Sequence, residues 1–571
     1  MGWKETNRQQ PGNNNNNKEK TTITITSSAS TKIMMSSSSL LLTTASFLNA
    51  FVVSGFTTIT EPPSPFKWPI VGTLPDFMAR GGVDKLPEIY YNMYQEFGTV
   101  YAMSQFGSDT LVISDPYAYD TVLRSEGKFP IGGAEAVDTF VNYYRENNIT
   151  MGIKSTSHGP EWKEWRSQLD ADLYVAWKTY LPIIAKTANQ ISQVAGYELS
   201  GEGNTNKVKF VDFVSRSAFD MFYSVMYGTS PQTTNSAQVQ PEDIEFVKAS
   251  KTAFDLTGVM LTNPFEKILQ TDTFQKFNVN MDKVMEFGNE KAVEFLKRVR
   301  EEEEEEEEND VVVAAEAAAD DDDVEGSKCP VQALKNGSNS LLGRLVNKNI
   351  PDDELGTLTG PMLMAGVDTT AYVMSWLYLN LASNPDVQTK LANELKSVLN
   401  GADVTTAEQM NSLPYLKACI RESHRLTPPS TVSAKTLEKD VDIVVNDKTY
   451  RAKAGTMICL NLCALPLDEQ FVDNPRDYRP ERFMPDAIEA RKGTPSEIID
   501  HPGFEDGFGR GKRRCLGANV AKAEIIILAA RLIQDWEITL MDPSQKDNWV
   551  PKQYLMLKAD PYPDMKLTPR Q

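Results

Sequence analysis

The residues from 508 to 517 have the sequence Phe-Gly-Arg-Gly-Lys-Arg-Arg-Cys-Leu-Gly, which places one cysteine, Cys515, between glycines. Bases precede this cysteine, and an apolar run typical of a helix, Ala518 to Leu532, follows it at once. Glycines let a backbone pass close to a flat group, and the amides at a helix start donate hydrogen bonds to a thiolate. Consecutive Arg513 and Arg514 would be costly beside an apolar core unless they met anions. The pattern therefore predicts a bound group that accepts a thiolate and carries negative charge.

A haem meets both needs, because its iron accepts a thiolate and its propionates accept arginine side chains. The segment resembles the Phe-x-x-Gly-x-Arg-x-Cys-x-Gly signature of the cytochromes P450, with Phe508, Gly511, Arg513 and Gly517 at the other family positions. The resemblance implies that Cys515 ligates the iron of haem b and that these four residues shape the haem site. From the residues alone, an inert buried cysteine in a glycine-rich turn is the alternative.

A second motif lies upstream of this segment. Glu422 and Arg425 stand three residues apart on a predicted helix, and Arg482 lies 33 residues before Cys515. A pair of opposite charges on a helix is weak evidence by itself. The resemblance gives these three residues the family's buried network of one carboxylate and two arginines under the proximal side of the haem. An ordinary surface salt bridge is the alternative.

The third motif is the sequence Ala-Gly-Val-Asp-Thr at 365–369, inside an apolar helical run. Glycine in a helix costs about 1 kcal/mol relative to alanine, and Asp and Thr compete for backbone hydrogen bonds, so the motif needs a reason. The small residues Ala365 and Gly366 would leave room for dioxygen. Asp368 and Thr369 resemble the family's acid and alcohol, which deliver protons for O–O cleavage. The alternative is a threonine bonded to its own helix, with the aspartate on a solvated face.

Two further motifs predict contacts to the haem propionates. Trp162 and Arg166 stand four residues apart on one helical face, and both side chains donate hydrogen bonds. They resemble the family's Trp-x-x-x-Arg helix, although a surface arginine stacked on tryptophan is the alternative. The resemblance assigns a second contact to Lys435, where the family usually has an arginine. A lysine offers a point charge instead of a guanidinium fork.

Long segments with helical periodicity dominate the chain, and short β-rich runs lie between them. The predicted helices are Lys163 to Ser200, Val208 to Tyr227, Phe274 to Arg300, Asp353 to Ser383, Ala407 to Leu426 and Ala518 to Trp536. The predicted strands are Val100 to Tyr101, Thr110 to Ile113, Ile443 to Val445 and Met457 to Leu460. The fold class is therefore mainly α with small β-sheets. The resemblance implies one large cytochrome P450-like domain around a buried haem, over residues 61–571.

Two segments depart from this pattern. Residues 1–60 are low in complexity and include an uncharged stretch from Ile33 to Thr60. We predict a targeting segment or a membrane anchor there, with a disordered tail as the third alternative. Residues 301–330 contain 15 acids between Glu301 and Glu325 with no base among them. We predict a solvated acidic insertion between helices, with a dedicated contact to a basic partner as the alternative.

The composition excludes some classes of function. The net charge is −20, but the acidic segment accounts for 15 of these charges and leaves −5 for the rest of the chain. The sequence has no excess of basic residues of the kind that would indicate a nucleic-acid partner. Five cysteines in 571 residues are too few for a disulfide framework.

Within the family, the run from Pro414 to Glu422, Pro-Tyr-Leu-Lys-Ala-Cys-Ile-Arg-Glu, looks most like the mitochondrial clan. In that clan two bases on this helix receive an acidic ferredoxin, and Lys417 and Arg421 fall on those positions. Three bases of the cysteine segment would join them in a positive patch: Arg510, Lys512 and Arg514. An ordinary solvated basic face is the alternative. The predicted electron donor is external, either a ferredoxin or a flavoprotein reductase.

The resemblance implies a haem-thiolate monooxygenase that inserts one atom of dioxygen into an apolar organic substrate, with electrons from outside. Rearrangement of a hydroperoxide on the same fold and a haem-binding sensor without turnover are the alternatives. Residues Ile131 to Ser157 and Phe246 to Thr262 are predicted to line the substrate pocket. The predicted location is an organelle or endomembrane, with association to a membrane, and mitochondrion, plastid and endoplasmic reticulum remain open.

Overall fold

The computed structural model describes residues 59–105, 107–131, 138–199, 208–262, 265–317, 339–348, 350–547 and 549–570. At residues 83, 138, 262, 303, 305–317 and 547 it describes the backbone alone. Residues 1–58 lie outside this description, so the targeting segment or anchor stays a prediction. Among the described helices, none combines the length and apolarity that a bilayer span requires.

Helices make up most of the described chain, as the sequence periodicity predicts. In chain order they are α1 (Leu74–Ala79), α2 (Leu86–Phe97), α3 (Pro116–Ser125), α4 (Asp138–Glu146), α5 (Thr150–Thr156), α6 (Pro160–Asp170), α7 (Leu181–Leu199), α8 (Phe210–Tyr227), α9 (Pro241–Thr262), α10 (Phe265–Ile268), α11 (Asp272–Ala317), α12 (Leu341–Val346), α13 (Asp352–Ser383), α14 (Pro385–Val398), α15 (Ala407–Asn411), α16 (Pro414–Leu426), α17 (Pro485–Arg491), α18 (Pro502–Glu505) and α19 (Ala518–Asp535).

The strands are short and form small sheets. They are β1 (Val100–Gln105), β2 (Ser108–Ile113), β3 (Val432–Thr436), β4 (Val441–Val445), β5 (Lys448–Ala452), β6 (Met457–Asn461), β7 (Trp536–Leu540), β8 (Val550–Gln553), β9 (Leu557–Asp560) and β10 (Met565–Pro569). One sheet has the order β1-β2-β6-β3, in which β2 and β6 are parallel and the other pairs antiparallel. Three antiparallel pairs complete the set: β4 with β5, β7 with β10, and β8 with β9. The predicted class, mainly α with small sheets, is confirmed.

Helix α13 runs through the core and packs against α8, α11 and α19. Two glycines allow α11 to cross it closely, since a Cβ added to Gly288 would lie 2.2 Å from the amide nitrogen of Gly360. The Thr359 hydroxyl also donates to the Gly288 carbonyl at 2.6 Å. The crossing lies less than two turns before residues 365–369 and therefore helps to fix their position in the core.

Prolines interrupt two of the predicted helices. The segment predicted as one helix from Lys163 to Ser200 contains a π-helical turn at Ala171–Val175 and a 3₁₀ turn at Ala176–Tyr180 between α6 and α7. Proline has no amide hydrogen and is favoured in a first turn, so α7 begins beside Pro182. For the same reason α16 begins at Pro414, and the helix predicted from Ala407 to Leu426 is divided.

Helix α11 continues into the acidic segment and ends at Ala317. The prediction of a break between helices at residue 301 is therefore wrong for the backbone. Glutamate has a high helix propensity, and Lys297 and Arg298 approach Glu301 and Glu302 at 3.6 and 4.0 Å. These pairs offset part of the repulsion at the start of the run. The rest of the predicted insertion, from residue 318 onward, lies outside the described residues.

Candidate active site

Cys515 lies at the end of the glycine-rich loop, three residues before α19 begins. The loop folds back on itself, because the Cys515 amide donates to the Phe508 carbonyl at 2.9 Å and the Arg514 amide donates to the Gly511 carbonyl at 3.1 Å. Gly511 has a φ of 78°, a left-handed conformation that favours glycine. The Cys515 side chain is exposed, and no atom stands within 4 Å of the place where a Cβ on Gly517 would lie. The thiol therefore faces open space at the start of α19.

Opposing effects act on the Cys515 thiol. Burial among the surrounding protein atoms raises its pKa, although one side of the residue is open. The hydrogen bond from the Gly517 amide and the charges of Arg166 and Arg514 lower that pKa. These groups stabilise a thiolate, which is the form that ligates a metal.

The Trp-x-x-x-Arg pair lies against this loop. Arg513 stacks on the Trp162 ring at 3.8 Å from its centroid and donates to the carbonyls of Pro130 and Ser157 at 2.9 and 2.6 Å. Arg166 donates to the Arg514 carbonyl at 2.7 Å, next to Cys515. The structure thus brings helix α6 and the cysteine loop together.

Lys435 has a different partner from the expected one. Its ammonium lies 2.9 Å from a carboxylate oxygen of Glu126, and both side chains are only 7% exposed. The sequence motifs gave no indication of Glu126, because it lies outside every family signature that we identified. Its role is considered below.

The three residues of the predicted Glu422 network contact one another in the structure. Arg425 donates to both carboxylate oxygens of Glu422, at 2.7 and 2.8 Å, and Arg482 lies 3.3 Å from one of them. The Arg479 amide adds a fourth hydrogen bond at 2.9 Å. Glu422 is fully buried and Arg425 is 3% exposed, so the surface salt bridge is ruled out. Arg425 also donates to the carbonyls of Pro466 and Pro475.

On α13 the motif presents its residues to different surroundings. Ala365 is exposed and Thr369 is partly exposed, although most of the helix around them is buried. The Thr369 hydroxyl donates to the Ala365 carbonyl at 2.9 Å. The expectation of free room at Gly366 is wrong, because a Cβ there would lie 2.7 Å from the ring of Phe222 on α8. The open position of the motif is therefore at Ala365.

Asp368 is buried, at 1% exposure, so it does not lie on a solvated face. It accepts a hydrogen bond from the hydroxyl of Ser250 on α9. Burial raises the pKa of Asp368 to about 7, and the Ser250 hydrogen bond opposes this rise. The sequence gave no signal for Ser250 beyond its place in the predicted pocket segment.

The basic patch is smaller than predicted. Arg510 pairs with Asp120, and Arg514 pairs with Asp506 at 2.9 Å. Arg421 is 18% exposed and pairs with Asp500 at 3.1 Å. Lys417 and Lys512 are exposed. These acids, two of which lie far from their partners in sequence, thus compensate much of the positive charge.

The residues around Cys515 fit a haem. An exposed thiol with an amide donor offers an axial ligand, and open space beside Gly517 leaves room at the loop. Trp162, Arg166 and Arg513 carry N–H donors at the loop that would serve propionates, although Arg166 also pairs with Asp170 at 2.9 Å. Ala365 of helix α13 is also exposed.

Comparison with known proteins identifies the family. The family model described as "Cytochrome P450" matches residues 62–563. The chain is 24% identical to "1,25-dihydroxyvitamin D(3) 24-hydroxylase, mitochondrial" of Rattus norvegicus over 85% of each chain. It is 24% identical to "Cholesterol side-chain cleavage enzyme, mitochondrial" of Mus musculus, over 82% of this chain and 81% of that one. It is 23% identical to "Probable cytochrome P450 12c1, mitochondrial" of Drosophila melanogaster, over 85% and 87%.

Proposed function

The chain belongs to the cytochrome P450 family and is a haem-thiolate monooxygenase, and we propose that Cys515 is the residue that ligates its haem iron. The observation that carries this proposal is the exposed thiol held by the Gly517 amide within the family's glycine-rich loop. Haem with a thiolate ligand activates dioxygen toward O–O cleavage. The intact acid and alcohol of α13 favour this chemistry over hydroperoxide rearrangement.

In the proposed arrangement Trp162, Arg166 and Arg513 bind the propionates. These side chains already meet at the cysteine loop, and two of them are cationic. Phe508, Gly511 and Gly517 give the loop its shape and its closeness to the ring. The three residues of the Glu422 network have a structural role and hold the segment beneath the cysteine loop in place.

We also propose that Thr369 and Asp368 would deliver protons to dioxygen bound by the haem. Thr369 is partly exposed next to the open position at Ala365, so its hydroxyl is placed to bind a water or a reacting oxygen. Asp368 has a carboxyl whose pKa of about 7 lets it release and take up a proton near neutral pH. Ser250 orients this carboxyl through its hydrogen bond.

The enzyme receives electrons from an external donor and acts on apolar substrates. The finer proposal is that the donor is a ferredoxin and that the enzyme resides in mitochondria, since the relatives reported above carry that location in their names. Lys417 is exposed on α16 and is the base we propose for donor docking. Arg421 is only 18% exposed and pairs with Asp500, a carboxylate that it shares with Arg491, so we expect it to contribute less than Lys417.

The test of the ligand assignment is spectroscopic. The reduced protein with carbon monoxide should show the long-wavelength Soret band of a thiolate haem, and Cys515→Ala should abolish it. Cys463→Ala is a matched control, because this buried thiol has a pKa raised to about 12 and lies outside the loop. A band that survives Cys515→Ala would refute the assignment.

A further inference from the structure

Glu126 follows the last residue of α3 and touches the loop that carries Cys515. One of its carboxylate oxygens accepts a hydrogen bond from the Lys512 amide at 3.1 Å. The other oxygen lies 2.9 Å from the Lys435 ammonium. A single carboxylate thus joins strand β3 to a backbone amide three residues before the cysteine.

The surroundings of Lys435 are closed. Its side chain is 7% exposed, like that of Glu126, whereas Cys515 and Ala365 face open space. A lysine ammonium that is buried against one carboxylate is already neutralised by that carboxylate. Lys435 therefore has its anion within the protein.

The contact continues along the chain after Glu126. The Lys512 ammonium donates to the carbonyls of Glu126 and Gly127, and the Arg513 guanidinium donates to that of Pro130 at 2.9 Å. Residues 126–130 therefore form a cradle along one side of the cysteine loop. We call these residues the α3 cradle.

Gly511 shows how tightly the α3 cradle fits. A Cβ on Gly511 would lie 2.6 Å from a carboxylate oxygen of Glu126, in addition to the strain of its φ of 78°. The glycine at this family position therefore admits the Glu126 carboxylate to the loop backbone. The close contact between Glu126 and the loop backbone therefore depends on both the carboxylate and the glycine.

We propose that Glu126 is a positioning residue for the axial thiolate, and that Lys435 serves as the counter-ion of Glu126 instead of binding a haem propionate. Glu126 acts through the Lys512 amide, which fixes the loop that ends in Cys515. Because the charges of Glu126 and Lys435 cancel, the pair places no net charge beside the cofactor. The inference rests on the proposed role of Cys515 as the iron ligand.

The experiment compares Glu126→Gln, Lys435→Met and the double variant in the haem-loaded protein. Glutamine keeps an oxygen for the Lys512 amide but leaves the Lys435 ammonium without an anion. The double variant has the same amide acceptor and no stranded charge. The readouts are the fraction of reduced, carbon monoxide-bound protein with the thiolate band, the rate of haem transfer to an acceptor protein, and the reduction potential.

Glu126→Gln is expected to lower the thiolate fraction roughly tenfold, since the Lys435 ammonium is left buried without its counter-charge. It should also raise the reduction potential, because the uncompensated cation favours the reduced iron. Lys435→Met should lower that potential, and the double variant should return both readouts toward the wild type. Glu438→Gln is the matched control, because this exposed carboxylate lies against Gly127 and should change neither readout.

If Lys435 binds a propionate, the outcome reverses. Lys435→Met and the double variant would then both lose haem, and Glu126→Gln would keep it. That result, or an unchanged thiolate band and potential in Glu126→Gln, overturns the proposal. A wild-type protein without the thiolate band would instead contradict the assignment of Cys515.

Discussion

Two buried carboxyl groups, Glu422 and Asp368, lie in the same domain with opposite surroundings. Glu422 accepts hydrogen bonds from two side-chain nitrogens of Arg425 and from the Arg479 amide, and Arg482 lies 3.3 Å from it. Asp368 accepts one from the Ser250 hydroxyl, and its pKa is raised to about 7. Arginine keeps its charge at ordinary pH, so we assign Glu422, its partner, a structural role. Burial raises the pKa of the Asp368 carboxyl to about 7, which suits it to proton transfer near neutral pH.

The largest effect is expected when the charge is removed from Glu422. In Glu422→Gln, Arg425 loses its buried counter-charge, and the free energy of unfolding should fall by about 3–5 kcal/mol. Chemical denaturation measures this loss, and the haem-bound fraction should fall with it. Asp442→Asn provides the control, because its partner Arg451 is 47% exposed and the pair should contribute little.

Replacing Glu422 and Arg425 together tests whether the two residues stabilise the fold as an ion pair. Replacing the pair together, in Glu422→Leu with Arg425→Met, removes both buried charges and should recover part of the lost stability. A double variant that is less stable than the sum of the two single changes would contradict an ion pair held only by its charges.

Asp368→Asn should have the opposite effect on stability. A pKa raised from 3.8 to about 7 means that the folded protein binds this proton more tightly than the unfolded chain does. The free energy of unfolding therefore falls as the pH rises between those values, by up to about 4 kcal/mol. Asparagine carries no such penalty, so Asp368→Asn should be more stable than the wild type at about pH 8 and nearly equal at about pH 4.

The same variant separates stability from catalysis. Product formation should fall roughly a hundredfold or more, since a positioned acid contributes at least that factor, and the thiolate band should remain. Denaturation at the two pH values and turnover with product analysis measure the two effects. A less stable Asp368→Asn protein at the higher pH would mean that the ionised carboxylate has a partner besides Ser250.

Much of this contrast was predictable from the sequence, and the reasons are local. Each of two motifs has its residues at fixed spacings within a single short segment, so a linear pattern is enough to find it. One contains Cys515 with its glycines and arginine, and the other contains Glu422 and Arg425. The motif also identified Asp368 as a site residue, but it did not predict which residues surround Asp368. Ser250 lies on another helix, and no spacing rule connects the two residues.

The remaining differences come from tertiary packing. Lys435 was expected at a propionate, and Glu126 meets it from a helix end more than 300 residues earlier. Gly366 was expected to open a space, and the Phe222 ring of α8 fills it. The positive patch was predicted from its bases alone, and the distant acids Asp120 and Asp500 pair with those bases only in the folded chain. Helix periodicity contains no information about which distant side chain fills a gap or pairs a charge.

The acids at the end of α11 form a third class, and the smallest effect is expected there. The side chains of Glu301 and Glu302 are 60% and 41% exposed, so each is solvated, and the sequence contains no base from Glu303 to Glu325. Deleting residues 301–326 should leave the thiolate band intact and alter the melting temperature little, because 15 acids without a base are not expected to be buried and shortening a flexible connection changes closure entropy by only about 0.6 kcal/mol per halving. Reduction by an acidic ferredoxin should become faster, most clearly at low salt, because long-range repulsion is screened at high salt. Stopped-flow reduction at two ionic strengths measures this, and loss of haem binding on deletion would instead show that these acids belong to the folded core, as Glu422 does.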